Sequence, residues 1–459
     1  MNELPALELR LGPPGHGGFC VARHEGRVVF VRHGLPGELV SARVTEDRGG
    51  SFCRADAVEI LEPSPDRVPR TCPVSGPGGA GCCDLAHAAP SAQRSLKAAV
   101  VAEQLRRITR IERDIDVQPV PGAADPSGGW RTRVRLVVDD AGRAGVHRYR
   151  STEVLADLRC PQPVTGALDG VAERRWTPGA DLVIAVDDDG SRHIVELAPV
   201  PEQGQRAVAA REGRRGPGGR RRGARSGPDR NRAAVSGPGE SPADTANGQR
   251  RRATAHRAAV HAARDEWVIE GSGRAVQYVA GRRWEVSAAG FWQAHRGAAQ
   301  CYSDVVAEWA DLPSGATAWD LYSGAGVFGA RLAGQTGPAG AVHAVESAPG
   351  AVSDGRAALG DLPWLTLQAG RVERWVAGRP GSRPQVVVLD PPRAGAGKPV
   401  VTAVTAAAPE RIVHIGCDPA SFARDLRLYL DAGYHLGALR AYDAFPATHH
   451  VECVALLER

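Results

Sequence analysis

Hydrophobic and polar positions change their period along this chain, and the changes mark three regions. In LELRL, GFCVARHEGRVVFVRHGLPGELVSARV and FCRADAVEILEP, within residues 1–62, apolar and polar residues alternate between Gly/Pro punctuation. That is the pattern of short half-buried strands. RHEGRVVFV reads as two strands around a tight turn at Glu25-Gly26. Several such strands in so few residues predict a small β-barrel. Residues 63–262 are mixed. A helical run is expected from about Ser91, taken as its N-cap, to Ile111, and WRTRVRLVVDD alternates like a strand. These features predict a central α+β region.

Residues 263–459 have a third pattern: TAWDLYSG then VFGARLAGQ; AVHAVE then APGAVSDGRAAL; PQVVVLD; RIVHIG then ASFARDLRLYLDAG; and last HVECVALLE. Apolar runs of strand length separated by helical segments predict an α/β unit, a doubly wound, Rossmann-like, mainly parallel sheet. Ligands of such sheets sit beyond the carboxyl ends of the strands. The expected division is therefore 1–62, 63–262 and 263–459.

Charge changes the picture at one place. The formal net charge is +5, but 14 Arg and four acids lie between Arg206 and Arg257, so that stretch alone carries +10 and all else −5. GRRGPGGRRRGARSGPDRNR has too little apolar surface to bury, so residues from about 201 to 262 read as a disordered insert or a basic RNA-touching arm. Bulk charge thus does not argue for nucleic acid. No apolar run reaches the length of a membrane span, and MNELPALELR lacks the pattern of a signal peptide. A cytoplasmic protein with no membrane contact is expected. Nine cysteines scattered through 459 residues speak for metal, catalytic or core roles rather than a disulfide framework.

The candidate chemistry sits at the predicted strand ends. DLYSGAGVFG matches G-x-G-x-x-G at Gly324, Gly326 and Gly329, between a strand and a helix. Glu346 ends the next strand 22 residues after Gly324, where a carboxylate can accept bonds from ribose hydroxyls. This fits a dinucleotide or S-adenosylmethionine. Asp390 lies just past a buried strand in VVVLDPPRAG, and Cys417 past another in HIGCDPASFARDL. A dehydrogenase explains neither, whereas an enzyme that methylates a base has use for both.

At these residues the chain resembles the RNA 5-methyluridine methyltransferases, class I enzymes dependent on S-adenosylmethionine. DLYSGAGVFG is similar to the family's donor loop, LDPPRAG to its base-side motif, GCDPASFARDL to its nucleophile motif and YDAFPATHHVECVALL to its terminal motif. GGFCVARHEGRVVFV and LPGELV resemble a TRAM domain, an OB-like RNA-binding barrel. The resemblance implies that Cys417 is the nucleophile adding to uracil C6 and that Glu452 removes the C5 proton. It places Gln293 (in FWQAH), Asp320, Tyr322, Gly324, Gly326 and Glu346 at the donor, and Asp390 between donor and base. Where the family has Asn after the cysteine, this chain has Asp418, a carboxylate that would raise the thiol pKa unless bonded elsewhere.

Many ribosomal-RNA members hold a [4Fe-4S] cluster on four cysteines. Cys72, Cys83 and Cys160 match three of those places, and Cys82 stands beside Cys83 instead of at Ala80. The implied cluster keeps zinc and reduced thiols as open alternatives. Ribosomal RNA is favoured as substrate, with transfer RNA as the alternative, and a monomer is expected. An RNA cytosine-C5 methyltransferase is the near rival, though its group typically draws a second cysteine from the base-side motif, where LDPPRAG has none. A non-catalytic RNA-binding factor with this fold is the distant rival.

Overall fold

The computed structural model describes residues 6–122, 128–200, 264–379 and 381–459. The predicted Arg-rich insert lies outside these residues.

The first six strands are β1 (Ala6–Arg10), β2 (Pro14–Gly15), β3 (Phe19–His24), β4 (Arg27–Arg32), β5 (Leu39–Asp47) and β6 (Phe52–Glu62), in the order β1-β5-β6-β4-β3-β2. Glu25 and Gly26, with φ of 47° and 80°, form the predicted turn between β3 and β4. Chain following β1 bonds to β3 through Gly12 and Val21, which curls the sheet on itself. Leu9, Val29, Val31, Val40, Ala42 and Ala55 fill the interior, as the alternation requires. Glu38, fully buried, accepts from Arg67 Nε and from the N–H groups of Leu35 and Ser64 at 2.6–3.0 Å, tying the barrel to the following segment.

Helix α1 (Pro90–Thr109) follows. The expected Ser91 cap is not used. Pro90 occupies the first helical turn, with Ala89 before it making no side-chain cap, because proline's fixed φ already starts the helix. Strand β7 (Val117–Pro119) comes next. A second, antiparallel sheet then contains β8 (Arg133–Val138), β9 (Ala144–His147), β10 (Val154–Leu155), β11 (Asp181–Val186), β12 (Arg192–Leu197) and β13 (Glu266–Glu270). A hairpin, β14 (Arg274–Val279) and β15 (Arg282–Ser287), leads into the third layer.

That layer comprises α2 (Ala298–Ala310), β16 (Thr317–Leu321), α3 (Val327–Thr336), β17 (Ala341–Glu346), α4 (Pro349–Ala358), β18 (Leu365–Ala369), α5 (Val372–Ala377), β19 (Val386–Leu389), α6 (Gly397–Ala407), β20 (Arg411–Gly416), α7 (Pro419–Asp431), β21 (His435–Asp443) and β22 (Glu452–Glu458). The sheet order is β18-β17-β16-β19-β20-β22-β21-β7. Strands β16 to β20 run parallel, and β22 enters antiparallel between β20 and β21. Residues alternate between two cores. Ala318, Val342, Val388 and Val413 face α2, α3 and α4, whereas Trp319, Val345, Val387 and Ile412 face α1, α5, α6 and α7. Burial on both faces explains why these strands read as continuous apolar runs.

The sheets do not respect the linear division of the chain. β7 and α1, from the second region, pack on the third sheet, and β13, from the third region, completes the second. The strongest tie is buried. Lys97 of α1 donates to Asp443 Oδ1 at 2.5 Å and to the Phe445 carbonyl at 3.0 Å. Gln93, one turn earlier, accepts from the Ala447 N–H at 2.7 Å. Together they hold the loop between β21 and β22. Removing one partner leaves a buried charge alone. Lys97→Met is expected to lower unfolding stability by about 3–5 kcal/mol in urea titrations, and Lys97→Met with Asp443→Leu to recover at least half of that loss.

Candidate active site

A cleft of about 1470 Å³ opens at the carboxyl ends of β16, β17, β19 and β20. The geometry follows from the topology, because every parallel strand must turn into its helix at this end. The tightest turn is DLYSGAGVFG. Tyr322, Gly324 and Gly326 all have positive φ, at 63°, 55° and 80°. A left-handed tyrosine at a strand end is strained backbone held in place by its neighbours. Gly329 donates its N–H to Asp320 Oδ2 at 2.7 Å, and a Cβ there would stand 3.1 Å from the same oxygen. Glycine thus lets α3 close on the carboxylate. Glu346 at the end of β17 accepts from the Gly324 N–H at 3.1 Å and the Ala348 N–H at 2.7 Å, which fixes the loop.

The sequence-predicted residues converge. Gln293, Tyr322, Gly324, Glu346, Asp390, Cys417 and Glu452 all line the cleft. Gly326 and the buried Asp320 lie directly behind the loop, as the first residue of α3's cap and the acceptor for its first turn. Among the lining residues without an assigned role, three bear on the chemistry. Phe291 keeps 75% of its surface exposed at the cleft, and Arg393 donates toward His450 Nε2 at 3.2 Å. The clue for Phe291 was an aromatic beside Gln293 in FWQAH. No pattern in the sequence announces the Arg393–His450 pair, whose members are 57 residues apart.

The electrostatics are one-sided. Burial pushes the Asp320 carboxyl up to about 7, helped by Asp390 and Glu346. Burial and Glu346 push Asp390 to about 7 as well. Glu452 is raised well above its ordinary value by burial and then by Asp390. Burial, Glu452 and Asp390 together push the Cys417 thiol up to about 12, against the pull of Arg393. Asp320 Oδ1 is buried and has no partner. A cleft with this excess of carboxyls suits a cationic ligand such as a sulfonium amino acid.

Asp418 does not load the thiol as its sequence position suggests. Its Oδ1 caps α7, accepting from the N–H groups of Ala420 and Ser421 at 3.1 and 2.8 Å. Its Oδ2 accepts from His16 Nε2 at 2.8 Å.

Some distance along the chain, four sulfurs meet. The Cys72, Cys82, Cys83 and Cys160 thiols lie near enough to perturb one another's ionisation. Cys72 and Cys83 are buried, and Gln162 Nε2 donates to Cys83 Sγ at 3.2 Å. Among the described residues no group of three or more His, Cys, Asp or Glu side chains has the arrangement of a metal site. The donor chemistry of a thiolate cluster is present. Among the described residues no helix is long and apolar enough to cross a membrane.

Comparison with known proteins gives the same picture. Residues 383–459 match the family model of tRNA (uracil-5-)-methyltransferase, and residues 7–58 that of the TRAM domain. An RNA methyltransferase of Streptomyces avermitilis is 39% identical over 463 aligned residues, covering 98% of both chains. One from Corynebacterium glutamicum is 35% identical, covering 97% of this chain and 95% of its own. Among solved structures, the tRNA (uracil-54, C5)-methyltransferase of Pyrococcus abyssi in complex with S-adenosyl-L-homocysteine superposes with a TM-score of 0.64. It covers 98% of this chain and all of its own at 18% identity, which establishes a shared fold.

The raised Asp320 carboxyl has a measurable consequence. A carboxyl that holds its proton more tightly when folded contributes stability below its ordinary range, and that contribution is lost as pH rises toward its folded value of about 7. Asp320→Asn cannot ionise. Its melting temperature relative to the parent, in the absence of ligand, is expected to rise by roughly 5 °C between pH 5 and pH 8 in thermal scans. A gap that stays constant with pH contradicts the electrostatic assignment.

Proposed function

Because the chain belongs to the S-adenosylmethionine-dependent RNA uracil-C5 methyltransferases, we propose that it methylates a uridine in ribosomal RNA through a covalent adduct with Cys417. The observation that carries the mechanism is the meeting of Cys417, Asp390, Glu452 and Arg393 on one wall of a cleft whose other wall is the glycine loop.

Uracil C5 is too weak a nucleophile to take a methyl group unaided, so the step is divided. When bound, S-adenosylmethionine supplies an electrophilic methyl on a sulfonium. Gln293, Tyr322, Gly324 and Glu346 line the place where it would sit, and Asp320 and Gly326 shape the loop from behind. Cys417 gives up its proton to a neighbouring carboxylate, and its sulfur adds to C6. The C5–C6 π pair becomes an enolate that makes C5 the nucleophile. C5 bonds to the methyl carbon while the methyl–sulfonium bond breaks, leaving a neutral thioether. Glu452 then removes the C5 proton, the C6–sulfur bond breaks, and the C5–C6 double bond returns. Each role fits the local environment. The buried Glu452 carboxylate is a strengthened base, and Arg393 opposes the rise of the Cys417 thiol. Phe291 offers an exposed ring on which a base withdrawn from its stack can rest.

We read the barrel as an RNA-binding unit, the second sheet as a wall of the cleft, and the third as the catalytic unit. The four thiols are read as the ligands of an iron–sulfur cluster, with Arg131 buried beside them as a cation that offsets thiolate charge. Ribosomal RNA is preferred because the cysteine block resembles that branch. Transfer RNA is the second reading, favoured by the substrate named for the Pyrococcus abyssi structure.

Nucleoside mass spectrometry on ribosomal and transfer RNA from cells with and without this gene tests the substrate. Loss of 5-methyluridine from ribosomal RNA is expected, and loss from transfer RNA alone overturns the substrate choice. Cys417→Ala is expected to abolish both turnover and the covalent adduct with 5-fluorouridine RNA. Glu452→Gln is expected to accumulate a methylated adduct with ordinary RNA, visible as a shifted band in denaturing gels. For the thiols, anaerobic purification with iron analysis and visible absorbance is expected to show an iron–sulfur chromophore that Cys72→Ser abolishes. An iron-free protein, anaerobically prepared, rules the cluster out.

A further inference from the structure

The tip of the N-terminal barrel reaches the catalytic loop. Between β2 and β3 the chain turns through His16, Gly17 and Gly18. Gly18, at φ +79°, lies wedged between two other parts of the molecule, because a Cβ there would come within 2.8 Å of Asp84 Cβ and 3.3 Å of His449 Cβ. The wedge is braced from behind. Asp84 accepts from Arg32 of β4 at 2.6 Å and bonds His449 Nδ1 at 2.5 Å, and the Arg32 guanidinium lies 3.7 Å over the Tyr149 ring. A glycine turn that is clamped this way places its neighbouring side chain in one position.

That side chain is His16, and it meets Asp418 at 2.8 Å. The two oxygens of Asp418 do separate work. Oδ1 caps α7, and Oδ2 receives the histidine. Cys417 is the residue just before this cap, at the hinge between β20 and α7. From the same turn of α7, Ser421 Oγ donates to the Arg393 carbonyl at 2.8 Å, so the cap also locates the base-side loop. Burial opposes ionisation of Asp418, yet the bonds from His16 and the Ser421 N–H hold its carboxyl well below the usual range. A carboxylate at this place accepts from His16 and caps the helix at once. An asparagine could still cap the helix, but it would turn an amide donor toward His16, whose ring nitrogen would then have to accept.

We propose that His16 is a positioning residue for methyl transfer: through Asp418 it fixes the first turn of α7 and so aligns the Cys417 sulfur and the Arg393 loop with the base. This rests on Cys417 being the nucleophile. The device makes the RNA-binding barrel a structural part of the catalytic wall. The pair is partly exposed, with side-chain exposures of 35% and 27%, so it adds little to global stability. Its effect lies in alignment, where a displacement of about 1 Å can reduce turnover by roughly a hundredfold.

The test uses the full chain, total RNA from cells lacking this gene, and tritiated S-adenosylmethionine. His16→Ala is expected to lower kcat by about ten- to a hundredfold, with the affinity for S-adenosylhomocysteine and the melting temperature nearly unchanged. The rate of adduct formation with 5-fluorouridine RNA is expected to fall in parallel, since thiol addition is the step being aligned. His16→Gln, whose amide also donates, is expected to restore kcat to within about threefold of the parent. An unchanged kcat in His16→Ala overturns the proposal. So does a loss confined to KM for RNA, which marks a simple RNA contact, or a loss that Gln does not repair. Cys417→Ala separates the two levels. Turnover that survives in that variant sinks the nucleophile assignment, whereas a dead Cys417→Ala beside a fully active His16→Ala sinks only the role of His16.

Discussion

Lys97 carries one of only two lysine ammonium groups in this chain, and it is buried against Asp443. Burial presses its pKa down while Asp443 opposes that effect, so neither group tolerates the loss of the other. The position of the pair gives it its reach. Asp443 ends β21, Phe445 and Ala447 follow, and Glu452 opens β22. The loop between these strands must cross the open end of the sheet to bring Glu452 opposite Cys417. It has no regular structure of its own to hold it there. Lys97 and Gln93, on a helix from far earlier in the chain, supply the anchors, and Leu85 bonds to the Ala447 carbonyl at 2.9 Å. The proposed catalytic base is thus held in place by the region that also holds the cysteines.

A second constraint concerns charge. Asp320, Asp390 and Glu452 are all raised by burial and by other carboxyls, and they raise the Cys417 thiol in turn. Such a site is poorly set for thiolate chemistry when empty. On the proposed roles, a cationic methyl donor neutralises part of the carboxylate field, so the groups proposed to bind the donor also make the proposed nucleophile depend on it. Arg393 is the cation nearest this balance, and its contact with His450 places it between the base-side and terminal motifs.

Much of the site was legible in the sequence. The alternation of the first region and the apolar runs of the last fixed the elements, because burial on one face or two leaves a period that needs no partner to be read. The glycines of DLYSGAGVFG, the strand-end acids and Cys417 followed, since a parallel sheet delivers its strand ends to one edge. Asp418 was legible as a departure but not in its effect. Its sequence neighbour is the thiol, and only the fold turns the carboxylate away toward His16. The helix near Ser91 was found, yet its start was misplaced because Pro90 does the work assigned to the serine.

What remained hidden has one character. His16 and Asp418 are 402 residues apart, and Lys97 and Asp443 are 346 apart. Cys72, the Cys82-Cys83 pair and Cys160 also come from separated segments, and their nearness is not forecast by spacing alone. The sequence by itself determined the elements, the turn chemistry and the set of reactive groups, because those depend on local backbone preference and on which face is apolar. Tertiary structure alone decided which barrel turn meets which helix cap and which helix holds the terminal loop. Periodicity records that a surface must be covered, but the partner that covers it is selected by shape and charge across the whole molecule.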